Sequence, residues 1–129
     1  MAVRVVQLGT ARRRGEGLRL GTVRRPPRGV PKRFHASRNW FDVWLPDLAP
    51  SAALLRQAHA KADPAARWRR FDRRYRAEMS RPENRRLLDL LAALSVTTNF
   101  SVGCYCEDER RCHRSILGEL LRARGARMA

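Results

Sequence analysis

Acidic residues are scarce in this chain, twelve against 28 basic ones over 129 positions, for a formal net charge of +16. Cysteine is scarcer still. The three present, Cys104, Cys106 and Cys112, are odd in number and confined to one short segment. That pattern excludes a disulfide framework and fits a reduced, cytoplasmic setting. No apolar run approaches the ~18–20 residues a membrane helix needs, so no membrane partner is expected. The opening Met1-Ala2-Val3-Arg4-Val5-Val6 has no basic stretch followed by an apolar one, and no secretory leader is expected. Lysine is nearly missing, with Lys32 and Lys61 alone. The resulting arginine bias raises the charge without naming a partner.

What is present fits one globular domain over residues 1–129. Hydrophobic residues make up 43%, enough for a single continuous core and too many for a disordered chain. The first 41 residues carry eleven basic side chains against Glu16, and a field of that sign draws polyanions and phosphorylated ligands.

Val3 to Leu8 is short and β-branched and stops at Gly9-Thr10, which reads as a buried strand. Residues 9–38 are rich in Gly, Pro and Arg without periodicity; a stretch that long is a functional loop or conceals a strand. Trp40 to Leu45 is a second strand, ended by Pro46, with Trp44 expected in the core. Ser51 caps a helix to about Ala62 with Leu54, Leu55 and Ala58 on one face. Asp63-Pro64 opens another to about Met79, whose Trp68, Phe71 and Tyr75 form an apolar stripe and whose arginines a solvated face. Ser80-Arg81-Pro82-Glu83 matches a capping box for a third helix, with Leu87, Leu88, Leu90, Leu91 and Leu94 expected to be well buried. Asn99 to Cys106 reads as a strand, and Ile116 to Arg124 as a last helix closed by Gly125. The order predicts an α/β domain with a small, mainly parallel sheet flanked by helices.

The segment from Cys104 to Ser115 holds the densest set of reactive side chains. Strand alternation would send Cys104 and Cys106 one way and Tyr105 the other, and the following helix start favours anions and thiolates. Ligands of open α/β sheets sit at this end of the strands. There Thr10 and the Arg-rich loop after it would share the rim. Four readings compete. Cys106, Asp108, His113 and Arg114 form a catalytic or binding constellation, with His113 as acid/base and Arg114 holding a phosphate or carboxylate. Alternatively Cys104, Cys106, Cys112 and His113 offer zinc a C-x-C-x5-C-H ligand set, although adjacent ligands at 112 and 113 strain it. Cys104 to Arg110 also fits C-x5-R, a phosphatase-like spacing, but Glu107, Asp108 and Glu109 would repel a phosphate. Last, the cysteines are simply small core residues. That last reading covers His113-Arg114 poorly, because two adjacent polar side chains are not expected to enter a core together.

Cys104-Tyr105-Cys106-Glu107-Asp108 followed by Cys112-His113-Arg114-Ser115 resembles the domain of unknown function 488 family, related to the YeaO-like proteins. Gly21-Thr22-Val23-Arg24-Arg25-Pro26-Pro27-Arg28-Gly29-Val30 and Trp44-Leu45-Pro46-Asp47-Leu48-Ala49-Pro50-Ser51 support the resemblance. It implies a compact α/β domain with a pocket lined by the cysteine motif and the Arg-Pro-Pro-Arg-Gly loop. On that basis Cys106, Cys112, His113 and Arg114 are motif positions, and Arg24, Arg25 and Arg28 come from the second loop. Asp42 either reaches the site or pairs an arginine. The function expected is an enzyme or binding domain for a small anionic, nucleotide-like ligand, with Thr10, Arg24, Arg25, Arg28 and Ser115 as ligand contacts. No cofactor other than zinc suggests itself. The alternative is a basic nucleic-acid-binding module, and a third class is a protein that docks a partner or a second copy of itself through an exposed Trp or Leu patch.

Overall fold

The structure, a computed structural model, describes residues 1–57 and 63–129. Four strands form one all-parallel sheet in the order β1-β4-β2-β3: β1 Val3–Gln7, β2 Leu18–Gly21, β3 Val43–Trp44 and β4 Phe100–Cys104. The long loop thus conceals a strand, β2. Val3 and Leu18 both lie opposite Phe100, and Val5 and Leu20 both lie opposite Val102, so β4 is flanked on both sides. Every residue of β4 is buried, as a central parallel strand requires. The C-terminus bridges the outer edge of β1 at Val3 and Met128.

Four helices follow from local signals: α1 Ala52–Gln57, α2 Pro64–Met79, α3 Pro82–Leu94 and α4 His113–Ala123. The Ser51 hydroxyl accepts from the Leu54 N–H, and Asp63 accepts from the Ala66 N–H just ahead of Pro64, as expected of caps. The predicted continuation of α1 through Ala58 to Ala62 lies outside the described residues. Phe71, Tyr75 and Met79 of α2, Leu88 and Leu91 of α3, and Ile116, Leu117 and Leu121 of α4 pack with Val3, Leu20, Phe100 and Val102 into the main core.

Several expectations are corrected. The capping box does not form: Ser80 ends α2 with its hydroxyl donating to the Arg76 carbonyl, and Arg81 begins α3 without a side-chain cap. Leu90 and Leu94 face solvent, because only one stripe of α3 meets the core. The second predicted strand shrinks to two edge residues. Its Trp44 is 43% exposed, the indole N–H donating to the Val23 carbonyl. α4 begins three residues earlier than its apolar pattern suggests, at His113.

Part of the interior is polar. Arg19 of β2 is wholly buried and forms a two-bond ion pair with Glu16, itself 3% exposed. The Ser101 hydroxyl and the Arg13 N–H also donate to Glu16, and Arg19 donates to the Thr10 and Asn39 carbonyls. Asp42 pairs Arg12 and accepts from the Arg19 N–H, so of its two expected roles it takes the arginine-pairing one.

Candidate functional site

The carboxyl ends of β1, β2 and β4 open into a cleft of about 870 Å³. One wall is the segment following β2, Val23 to Arg28. Its turn is closed by the Val30 N–H donating to the Pro27 carbonyl, with Gly29 at φ 75°. A positive φ at the third turn position needs glycine, and this geometry leaves Arg28 at the outward corner. The opposite wall is Pro50, Ala52, Leu55 and Arg56, ahead of and within α1. Trp40 and Tyr105 meet edge to face at 5.7 Å on the remaining side, and the Tyr105 hydroxyl donates to the Arg25 carbonyl. A second hollow of about 450 Å³ adjoins it, sharing Leu55, Cys106 and His113 and adding Arg67 and Arg111. Six arginines line the two spaces, and among the described residues no carboxylate does.

The floor is the strand-to-helix junction. The sulfurs of Cys104, Cys106 and Cys112 lie within 4.8 Å of one another; the first and last are buried and drawn together as a disulfide pair, which the odd cysteine count did not lead one to expect, and Cys106 is exposed and free. Such a cluster has the donor set for a soft metal ion. Although Cys106 reaches solvent, lost hydration in the hollow pushes its thiol above the ordinary value, against the pull of Arg114. His113 is 6% exposed. Its Nε2 lies 2.7 Å from the Thr22 carbonyl, which only accepts, so Nε2 carries the proton and Nδ1 keeps its lone pair, 3.8 Å from the Cys112 sulfur. Burial lowers the imidazole to about 4, the Thr22 carbonyl opposing and Arg114 adding to the effect. At neutral pH this ring is uncharged.

Arg114 is 4% exposed and does not line the cleft. Two adjacent polar side chains do enter the interior, contrary to expectation, because at a helix start one turns to the sheet and the other behind the Cys106 segment. One guanidinium nitrogen donates to the Glu107 carbonyl at 3.4 Å, and the buried Nε has no partner.

The remaining expected contacts divide. Arg24, Arg25 and Arg28 line the cleft, Arg24 bracing it by donating to the Ala49 and Pro50 carbonyls. Thr10 does not: its hydroxyl closes a turn onto the Gln7 carbonyl. Ser115 bonds back to the Cys112 carbonyl, and Asp108 caps the following turn through the Arg110 N–H. The loop that covers the site follows β2, not β1, since Arg12 is held by Asp42. Arg110 points to solvent with its side chain 93% exposed while Cys104 is buried, so the C-x5-R spacing builds no phosphate cradle. Tyr105 joins Cys104 and Cys106 on the cleft because the strand ends at Cys104. Trp40, Leu55, Arg56 and Arg67 are not legible as site residues; only the tertiary approach of α1 and α2 brings the last three in, whereas Arg111 lies within the Cys104–Ser115 segment.

No curated protein and no solved structure matches the chain. A family model described as the active DUF488-N3 subclade matches residues 3–125. With nearly its whole length so covered, and with the cysteine motif and the Arg-Pro-Pro-Arg-Gly loop facing one cleft, the protein belongs to this branch of the domain of unknown function 488 family.

Proposed function

We propose that this chain binds a small phosphorylated anion of nucleotide size in the cleft at the carboxyl ends of its strands. The observation that carries the reading is the lining: arginines on two walls, no carboxylate among the described residues, and an aromatic pair between them. The volume lies within the ~300–1,000 Å³ of ordinary ligand sites. Arg24 is committed to backbone carbonyls, whereas Arg25, Arg28 and Arg56 stand on the walls outside every ion pair among the described residues. Their donors suit phosphate oxygens, and the Trp40 and Tyr105 rings that line the cleft offer apolar surface to a base. The subclade's description as active favours a site kept for use. Of the four residues expected to be catalytic, Cys106 and His113 reach the cleft; Asp108 and Arg114 do not.

Calorimetric titration of the full chain with nucleoside 5′-phosphates, against the parent nucleosides, tests this. The phosphorylated forms should bind at least about tenfold more tightly, since each charge-assisted bond contributes ~1.5–3 kcal/mol. Replacing Arg25 and Arg28 together by Ala should remove most of that difference while leaving the unfolding temperature unchanged. Equal binding of nucleoside and nucleotide, or no binding of either, overturns the proposal.

The nucleic-acid reading has a different surface in its favour. Arg69, Arg70, Arg73 and Arg74 of α2 and Arg81, Arg85 and Arg86 at the start of α3 are all exposed and lie outside every ion pair among the described residues.

A further inference from the structure

We infer that Cys104, Cys106, Cys112 and His113 together form a zinc site beneath the cleft, with three thiolates and the imidazole Nδ1 as ligands. The sulfur geometry is the first argument. A tetrahedral zinc with bonds of ~2.3 Å to sulfur sets its ligand sulfurs about 3.8 Å apart; the three sulfurs here lie within 4.8 Å of one another, and the Cys104 and Cys112 pair, now in direct contact, has only to spread to reach that spacing. The Cα atoms of Cys104 and Cys112 are 7.9 Å apart, wider than the ~4.4–6.8 Å a disulfide ordinarily spans. Two ligands of one ion face no such limit.

The imidazole stands beside the three-sulfur cluster, touching it at Cys112, and a small shift brings it to the fourth position. Its Nε2–H is fixed on the Thr22 carbonyl at 2.7 Å, and Thr22 is anchored in turn by its hydroxyl donating to the Gly103 carbonyl. A backbone carbonyl behind the far nitrogen is the usual support for a metal-bound histidine. The remaining lone pair, on Nδ1, is buried and lies 3.8 Å from the Cys112 sulfur, close to one edge of such a tetrahedron.

Charge supplies an independent argument. Arg114 is a buried cation in the first turn of α4, where the helix dipole disfavours positive charge. No carboxylate pairs it among the described residues, and its Nε is unpartnered. Burying an unpaired charge is costly. A divalent zinc with three thiolates and a neutral imidazole carries a formal single negative charge, which balances Arg114. The Cys106 N–H already donates to the Cys104 sulfur at 3.4 Å, a contact that favours thiolate over thiol. The ligands are those of the reduced protein, with Cys104 and Cys112 as thiols; on binding, each cysteine releases its thiol proton to solvent and no electron is transferred.

The test uses the full chain, purified anaerobically, stripped with a chelator and titrated with cobalt(II) as a spectroscopic probe. One equivalent per chain should produce the strong visible bands of tetrahedral cobalt and thiolate-to-metal charge transfer, and zinc should displace it. Cys106→Ser, at an exposed position, should weaken binding by at least the roughly 10–100-fold that outer-shell partners alone contribute. Should that variant fail to fold, the zinc content of the untreated wild-type protein, expected at one per chain, decides instead. Absent tetrahedral bands with three freely titrating thiols, or a single free thiol that persists in anaerobic protein, overturn the site.

Discussion

Glu16 is a carboxylate sealed inside the protein, and its ionisation ties stability to pH. Burial by itself would raise it, but Arg19, the Ser101 hydroxyl and the Arg13 N–H outweigh burial and lower it from 4.5 to about 2. A carboxyl whose folded value is depressed contributes stability that is complete above its unfolded value and is lost as pH falls toward the folded one. The window is therefore about pH 4.5 down to 2. Urea midpoints measured between pH 6 and 3 should fall across the acid end for the wild type. Glu16→Gln leaves Arg19 buried and unpaired, which costs about 3–5 kcal/mol, and should flatten that dependence. If this variant does not fold, Ser101→Ala keeps the ion pair and should lose only about 1 kcal/mol. A midpoint unchanged from pH 6 to 3 in the wild type would show that Glu16 is not held as described.

Helices α2 and α3 adjoin in sequence, yet their starts differ. Asp63 caps α2 through the Ala66 N–H; α3 begins at Arg81 with no side-chain acceptor, and the Ser80 hydroxyl donates backward to Arg76. Asp63→Ala should therefore destabilise the protein by about 0.5–2 kcal/mol in urea unfolding, and Ser80→Ala by clearly less. A larger loss at Ser80 would restore the capping box that the sequence suggests. These elements also show what could be read in advance. Asp63-Pro64 and the aromatic stripe of α2 are local signals, and they place that helix to the residue. β2 is hidden because Arg19 interrupts an otherwise apolar Leu18–Gly21, and the Glu16 carboxylate that permits a buried arginine is recognisable only once the loop folds onto the sheet. Trp44 reads as core by residue type, but a two-residue edge strand has no neighbour to cover it. Within the site, the cysteine spacing and the Pro-Pro-Arg-Gly turn are contiguous in sequence and hence legible. The cleft's far wall comes from α1, and nothing in Leu55 or Arg56 marks it.

Across the whole molecule the charge of +16 divides into two kinds of surface. The arginines outside ion pairs are exposed on both, Arg25, Arg28 and Arg56 at the cleft as well as those on the outer faces of α2 and α3, so the two surfaces differ in how many phosphates they meet at once. Exposed charges are screened over a Debye length of about 8 Å at physiological ionic strength. A polyanion held by four phosphate contacts on α2 should lose about 100-fold in affinity between 50 and 200 mM salt, from a slope near −0.9 per contact. A mononucleotide in the cleft, with its single phosphate, should lose less than about tenfold over the same range by the same slope. Arg73→Gln with Arg74→Gln should lower the polyanion slope by about two contacts and leave mononucleotide affinity unchanged. Fluorescence anisotropy with a labelled oligonucleotide, alongside calorimetry with a mononucleotide, reads both. If the oligonucleotide instead stays bound at physiological salt while the mononucleotide does not bind at all, the helical arginine face rather than the cleft is the functional surface.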